Sequence, residues 1–170
     1  MIDDTHALVV YESELGRTRS VAEAVADALQ CDGAGTVVCT PLRAATPHAV
    51  ERTGLLVVGL PTRVQHADDD RVDLSGPDRL SRTARAWLDA VPPGFGRATA
   101  VFDTRPDVHV AGAADAAATR LLREGYALVC PPQVFLVSGP VGPLPPEEWL
   151  RARTWAAARL PLVSIPGGLP

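Results

Sequence analysis

The chain has no lysine and no asparagine: all 16 basic residues among its 170 are arginines. Without lysine there is no Walker-type phosphate loop, whose Lys reaches the outer phosphates, and the Gly-x-Gly-x-x-Gly of a dinucleotide fold is missing too. A phosphorelay receiver is excluded as well, because it needs a Lys after its fifth strand and an Asp ending its third, where this chain has Gly59-Leu60-Pro61. Cysteine is sparse. Cys31, Cys39 and Cys130 are widely spaced with no Cys-x-x-Cys, which predicts reduced thiols rather than a disulfide frame or a zinc site. The residues six beyond them are Val37, Ala45 and Leu136, so the Cys-x5-Arg of a small tyrosine phosphatase is absent. Aromatics make up only 5%. No apolar run reaches the roughly 18 residues of a membrane span, and Met1-Ile2-Asp3-Asp4 lacks the positive charge that opens a signal peptide. A cytoplasmic protein with no membrane span is expected. The net charge of −4 and the scattered arginines give no basic footprint, which argues against nucleic acid as a partner.

Alanine, 14 glycines and 16 prolines are abundant beside the exclusive use of arginine, a pattern of GC-rich codon usage as in actinobacteria. With 46% hydrophobic and 21% charged residues, the chain reads as one globular domain over 1–170, with a core from about 7 to 160 and a Pro/Gly-rich tail from 161 to 170.

Strand and helix patterns alternate along it. Ala7 to Tyr11 reads as a buried parallel strand, and Thr18, Val21, Ala22, Val25, Ala28 and Leu29 recur at helical spacing. Gly35 to Thr40 is a second strand, Thr46-Pro47 a cap with proline at the first helical position, and Leu55 to Leu60 a third, wholly apolar strand. Pro61 to Pro77 carries little periodicity. Arg79 to Val91 predicts a helix and Ala98 to Phe102 a fourth strand, followed by the turn Asp103-Thr104-Arg105-Pro106. A helix from Gly112 to Glu124 and a fifth strand over Val129 to Val137 follow, the strand interrupted by Pro131-Pro132. The last helix has Trp149, Ala152, Ala156 and Leu160 as its inner stripe. Five strands alternating with helices predict a doubly wound α/β fold, with helices on both faces of a parallel sheet and ligands at the carboxyl ends of the strands.

The most informative stretch is Val9-Val10-Tyr11-Glu12-Ser13-Glu14-Leu15-Gly16-Arg17-Thr18, where an apolar strand runs through a hydroxyl- and glycine-bearing turn into a helix. The first turn of a helix has unpaired N–H groups and a partial positive charge, so an anion is favoured there. Val9, Val10, Tyr11, Ser13, Gly16, Thr18 and Ala22 fill every specified position of the phosphate-loop signature of flavodoxins, and the chain resembles that family from Ala7 to about Leu160. The resemblance implies strand order 2-1-3-4-5 and flavin mononucleotide (FMN) as cofactor. It implies that Ser13, Glu14, Leu15, Gly16, Arg17 and Thr18 surround the phosphate. Gly59-Leu60-Pro61-Thr62 looks like the family's Gly-x-Pro-Thr turn, so Pro61, Thr62, Arg63 and Val64 on one side, with Asp103, Thr104 and Arg105 on the other, are expected beside the flavin ring. Partners would be a redox protein, or a quinone-like or protoporphyrinogen-like small molecule in an FMN-dependent oxidoreductase.

The departures are as specific. Neither Thr62 to Asp73 nor Asp103 to Gly112 contains Phe, Tyr or Trp to stack on the ring, leaving His66 and His109 as the flat side chains. Glu12 and Glu14 put negative charge beside a phosphate site. These features support an alternative, a degenerate module that binds no flavin and serves as a binding or interaction protein. His66-Ala67-Asp68-Asp69-Asp70 reads as a solvated acidic loop rather than a metal cluster. Asp103 and Arg105 either flank the ring or pair locally within a turn. Ser13 lacks the Gly-x-Ser-x-Gly elbow of a nucleophile, and no side-chain acid, base or nucleophile is expected to be catalytic.

Overall fold

The computed structural model describes residues 5–32, 35–62, 79–106, 108, 112–137 and 143–160. Strand β1 (Thr5–Tyr11) leads into helix α1 (Arg17–Cys31), then β2 (Val37–Pro41), a 3-10 turn at Leu42–Ala44, and the short α2 (Pro47–Glu51). Next come β3 (Thr53–Pro61), α3 (Arg82–Ala90), β4 (Ala98–Arg105), α4 (Ala113–Arg123), β5 (Ala127–Leu128), β6 (Gln133–Leu136) and α5 (Pro146–Arg159). The strands pair in parallel in the order β2-β1-β3-β4-β5, and β6 also pairs with β4. The expected doubly wound order is observed.

Side chains alternate across the sheet, so each strand feeds two cores. Ala7, Val9, Val57 and Phe102 face α1 and α5, where Val21, Val25, Leu29, Ala152 and Trp155 cover them. Leu8, Val10, Val58 and Val101 face the other way, against Leu88 of α3 and Ala114, Ala117 and Leu121 of α4. Burying a Val or Leu side chain of this kind contributes about 1.5–3 kcal/mol.

Two departures from the expected elements, and the expected interruption of the fifth strand, have physical causes. Asp103, Thr104 and Arg105 are the last residues of β4 rather than a turn: Asp103 and Thr104 stand opposite Leu60 and Pro61, and Arg105 opposite Leu136. Polar residues can continue a central strand here because their side chains are hydrogen-bonded in the interior. The fifth strand is split. Pro131-Pro132 cannot donate to the ladder, and β5 and β6 pair with β4 on either side of the gap. Trp149 is exposed and Trp155 takes the inner position. Trp155 meets Phe102 and Phe135 edge to face at 6.1 and 5.9 Å, and these two rings are 5.7 Å apart, whereas Trp149 is covered by the Arg153 guanidinium at 5.1 Å.

Candidate functional site

The carboxyl ends of β1, β3 and β4 converge with the starts of α1 and α4. Between β1 and α1 the loop Glu12 to Gly16 is anchored by the Glu12 N–H, which donates to the Gly59 carbonyl at 3.0 Å. Gly16 caps α1 in a left-handed conformation, φ +83°, that a side chain would strain. A Cβ at Gly16 would have nothing within 4 Å, so the space beside it is open. Gly16, the N-cap of α1, has no side chain with which to cap it, and the Ser13 hydroxyl oxygen is buried with no hydrogen-bond partner among the described residues. A buried hydroxyl therefore lies beside a glycine-capped helix start.

The neighbouring carboxylate is diverted. Ser81, the N-cap of α3, donates its hydroxyl to both carboxylate oxygens of Glu12 at 2.6 and 2.8 Å and accepts from the Ala84 N–H at 2.9 Å. Glu12 thus spends its charge at the positive end of α3. Glu14 and Leu15 are exposed, Leu15 at 60%. The Thr18 hydroxyl, expected on the phosphate, lies at 2.7 Å from that of Thr104.

Thr62, Asp103 and Arg105 form one buried polar cluster. The Thr62 N–H donates to the Thr104 carbonyl at 2.9 Å, and the Thr62 hydroxyl accepts from the Ala113 N–H at 3.0 Å. Asp103 accepts from Arg105 Nε at 2.8 Å and Nη2 at 2.7 Å, and its Oδ2 also accepts from the Ala114 N–H at 3.0 Å. Both side chains are essentially inaccessible, at 0% and 5% exposure. Gly112 has no side chain to cap α4, so Thr62, just beyond β3, and Asp103 of β4 serve that purpose, and a Cβ at Gly112 would fall on Arg105. Of the two open readings of Asp103 and Arg105, the structure displays local pairing, directed inward. Pro61 ends β3; Arg63, Val64, the His66 to Asp70 run and His109 lie outside the described residues.

A cleft of about 560 Å³ opens on the other side of the loop, toward β2, lined by Tyr11, Ser13, Gly16, Arg19, Pro41 and Arg43 among others. Arg19 pairs with Glu23 at 2.7 Å, and that bond raises its pKa. Within β2, burial pushes the Cys39 thiol up to about 11. Among the described residues no group of three or more His, Cys, Asp or Glu is placed to hold a metal, and no helix is long and apolar enough to cross a membrane.

The expected helix start at Arg79 concealed the Glu12–Ser81 contact; a serine three residues before the first buried alanine is the N-cap signal for it. The Thr18–Thr104 pair had no sequence signal, since 86 positions separate the two residues.

No model of a known protein family matches the sequence, and no curated protein sequence matches it. Solved structures do. Oxidised Flavodoxin 2 from Bacillus cereus is 18% identical with a TM-score of 0.69, covering 91% of this chain and 97% of that one. The flavodoxin of Streptococcus pneumoniae TIGR4 is 16% identical with a TM-score of 0.68, over 88% of this chain and 94% of that one. Rubredoxin oxygen:oxidoreductase from Desulfovibrio gigas is 16% identical with a TM-score of 0.63, over 92% of this chain and 36% of that one. The fold is flavodoxin-like.

Proposed function

We propose that this chain is an FMN-binding redox protein. The observation that supports it most is the Ser13 hydroxyl, buried with no partner among the described residues beside the glycine-capped start of α1 and the open space at Gly16. A buried hydroxyl without a partner costs free energy that a phosphate oxygen would recover. The site fits a phosphate monoester: backbone N–H groups and a hydroxyl can donate to it, and the neighbouring Glu12 carboxylate, which would oppose it, is already held by Ser81.

When bound, FMN would supply the electron-transfer chemistry, and the protein would bind, orient and surround it. The amides of α1 and the Ser13 hydroxyl hold the phosphate. Thr18, tied to Thr104, keeps the start of α1 in register with the end of β4. Thr62 and Asp103 hold α4 against the strand ends, and the Asp103–Arg105 pair keeps its charges compensated beneath the rim. With Asp103 and Arg105 turned inward, their side chains position the ring-flanking segments from below rather than stacking on a ring. The electron partner is a redox protein or a quinone-like small molecule.

Titration of the purified protein with FMN and with riboflavin, followed by quenching of flavin fluorescence, tests the reading. FMN is expected to bind and riboflavin to bind more weakly, because riboflavin lacks the phosphate. Equal affinity would remove the phosphate site. Absence of quenching by either flavin would favour a flavin-free interaction module, a reading the inward Asp103 and Arg105 also permit.

A further inference from the structure

Strand β6 lies at the side of the sheet away from β2, and among the described residues it pairs only with β4. The Val137 N–H just beyond it donates to the Arg105 carbonyl at 3.0 Å, so alternation along the strand turns the Leu136 N–H and the Val134 carbonyl outward. Both outward groups are taken by side chains. Glu148 of α5 accepts from the Leu136 N–H at 2.9 Å. Arg151, one helical turn on, donates to the Val134 carbonyl, which also accepts from the Gln133 side-chain amide at 3.1 Å. The same guanidinium donates to both Glu148 oxygens at 2.7 Å and lies 5.1 Å from the centre of the Phe135 ring. One acceptor and one donor, joined as an ion pair, thus occupy the places that the C=O and N–H of a single residue in a parallel neighbouring strand would take beside Phe135.

Bare, this edge would be complementary to itself. Gln133 to Leu136 carries no charge to repel a like strand and no proline to block one. In an antiparallel pair about a twofold axis through Phe135, the Leu136 N–H of each copy meets the Val134 carbonyl of the other. We propose that the Glu148–Arg151 pair is an intramolecular stand-in for a neighbouring strand, and that the surface it guards is a self-pairing edge whose partner on release is β6 of a second copy of this chain. Neither residue belongs to the proposed flavin site, so the edge and the flavin reading stand or fall separately.

Sedimentation and amide hydrogen exchange of the full chain test this, comparing the wild type with the double variant Glu148→Ala, Arg151→Ala. Arg153→Ala is the control, because it breaks the other ion pair of α5, to Asp27, and leaves the edge covered. The double variant is expected to associate at concentrations where the wild type and Arg153→Ala do not. Adding Leu136→Pro, which removes the outward donor, is expected to abolish that association. At dilutions where the double variant is monomeric, its Leu136 amide should exchange about tenfold or more faster than in the wild type, while the Val137 amide, bonded to β4, is unchanged. A double variant that associates no more than Arg153→Ala, association that survives Leu136→Pro, or a Leu136 amide indifferent to the substitutions would overturn the proposal. Should the double variant not fold, exchange in the wild type decides: protection of the Leu136 amide supports the stand-in, and exchange at the rate of an unstructured amide overturns it.

Discussion

The hydroxyls of Thr18 and Thr104 meet at 2.7 Å in the interior, joining the first turn of α1 to the end of the central strand β4. Removing one hydroxyl leaves the other buried without a partner, which costs about 1–3 kcal/mol. Thr18→Val and Thr104→Val are each expected to lower stability by that amount in urea unfolding. The double variant is expected to lose less than the sum of the two, because it leaves no orphan. Thr18→Ala is further expected to raise the Kd for FMN, since the start of α1 loses its tether; an unchanged Kd would detach this residue from the site.

Arg105 and Asp103 pair in the interior, Asp103 also accepts from the start of α4, and Arg105 approaches the Asp115 carboxylate at 3.9 Å. Breaking a buried pair from one side leaves an uncompensated charge and costs about 3–5 kcal/mol. Arg105→Met is expected to destabilise the protein by that amount. Arg105→Met combined with Asp103→Leu is expected to recover much of the loss in chemical denaturation, less the cap that Asp103 gives to Ala114.

Those two residues also mark how far the sequence could be read. Apolar runs such as Leu55 to Leu60, and the helical spacing of Val21, Val25 and Leu29, report burial directly, so the alternation of strands with helices on both faces of a sheet was legible, while the strand order followed from the resemblance alone. The loop from Ser13 to Gly16 was legible because strand, turn and helix start are contiguous in the chain. Asp103-Thr104-Arg105-Pro106 misled, because charge followed by proline has the composition of a turn, and only the register with β3 and β6 reveals a buried ion pair inside a strand. Trp149 and Trp155 both fit a helical stripe, and the choice between them depends on Phe102 and Phe135 beneath the helix. Contacts between distant segments, Glu12 with Ser81 and Thr18 with Thr104, leave no trace in local pattern.

Gly59 and Gly16 are needed for different reasons. A Cβ at Gly59 would lie 2.1 Å from Phe102 Cζ, directly across the β3–β4 pairing, so Gly59→Ala overpacks the core and is expected to cost about 1–3 kcal/mol. Gly16 has open space but φ +83°, so Gly16→Ala strains only the backbone and is expected to cost about 1–2 kcal/mol. Gly16→Asn is expected to be milder than Gly16→Ala, while Gly59→Asn is expected to be worse than Gly59→Ala. Thermal unfolding of the four variants checks the crossed order.

Cys39 predicts an alkaline limit. Burial, reinforced by Glu23 and opposed by Arg19, raises its thiol pKa from 9.0 to about 11, so the folded protein holds this proton more tightly than the unfolded chain. The stabilisation is fully present below pH 9.0 and is lost as pH rises through about 11. Urea unfolding should show stability falling across that window, with a shallower fall in Cys39→Ala. At neutral pH iodoacetamide should label the exposed Cys31 well before Cys39, because the thiolate is the reactive form.

Ser81 joins stability to the proposed binding site. Its hydroxyl caps α3 by accepting from Ala84 and at the same time holds both oxygens of Glu12, whose backbone N–H anchors the phosphate loop. Ser81→Ala is expected to cost about 0.5–2 kcal/mol for the lost cap. It also releases a carboxylate next to the phosphate cradle, where its charge opposes an anion, so FMN affinity is expected to fall while riboflavin affinity does not. Glu12→Gln in the Ser81→Ala background removes the released charge without restoring the cap. The double variant should therefore regain FMN affinity yet remain as unstable as Ser81→Ala, a separation that fluorescence titration and urea unfolding can measure on the same samples. If FMN affinity followed stability instead, the contact would matter through the position of α3 and not through the charge of Glu12.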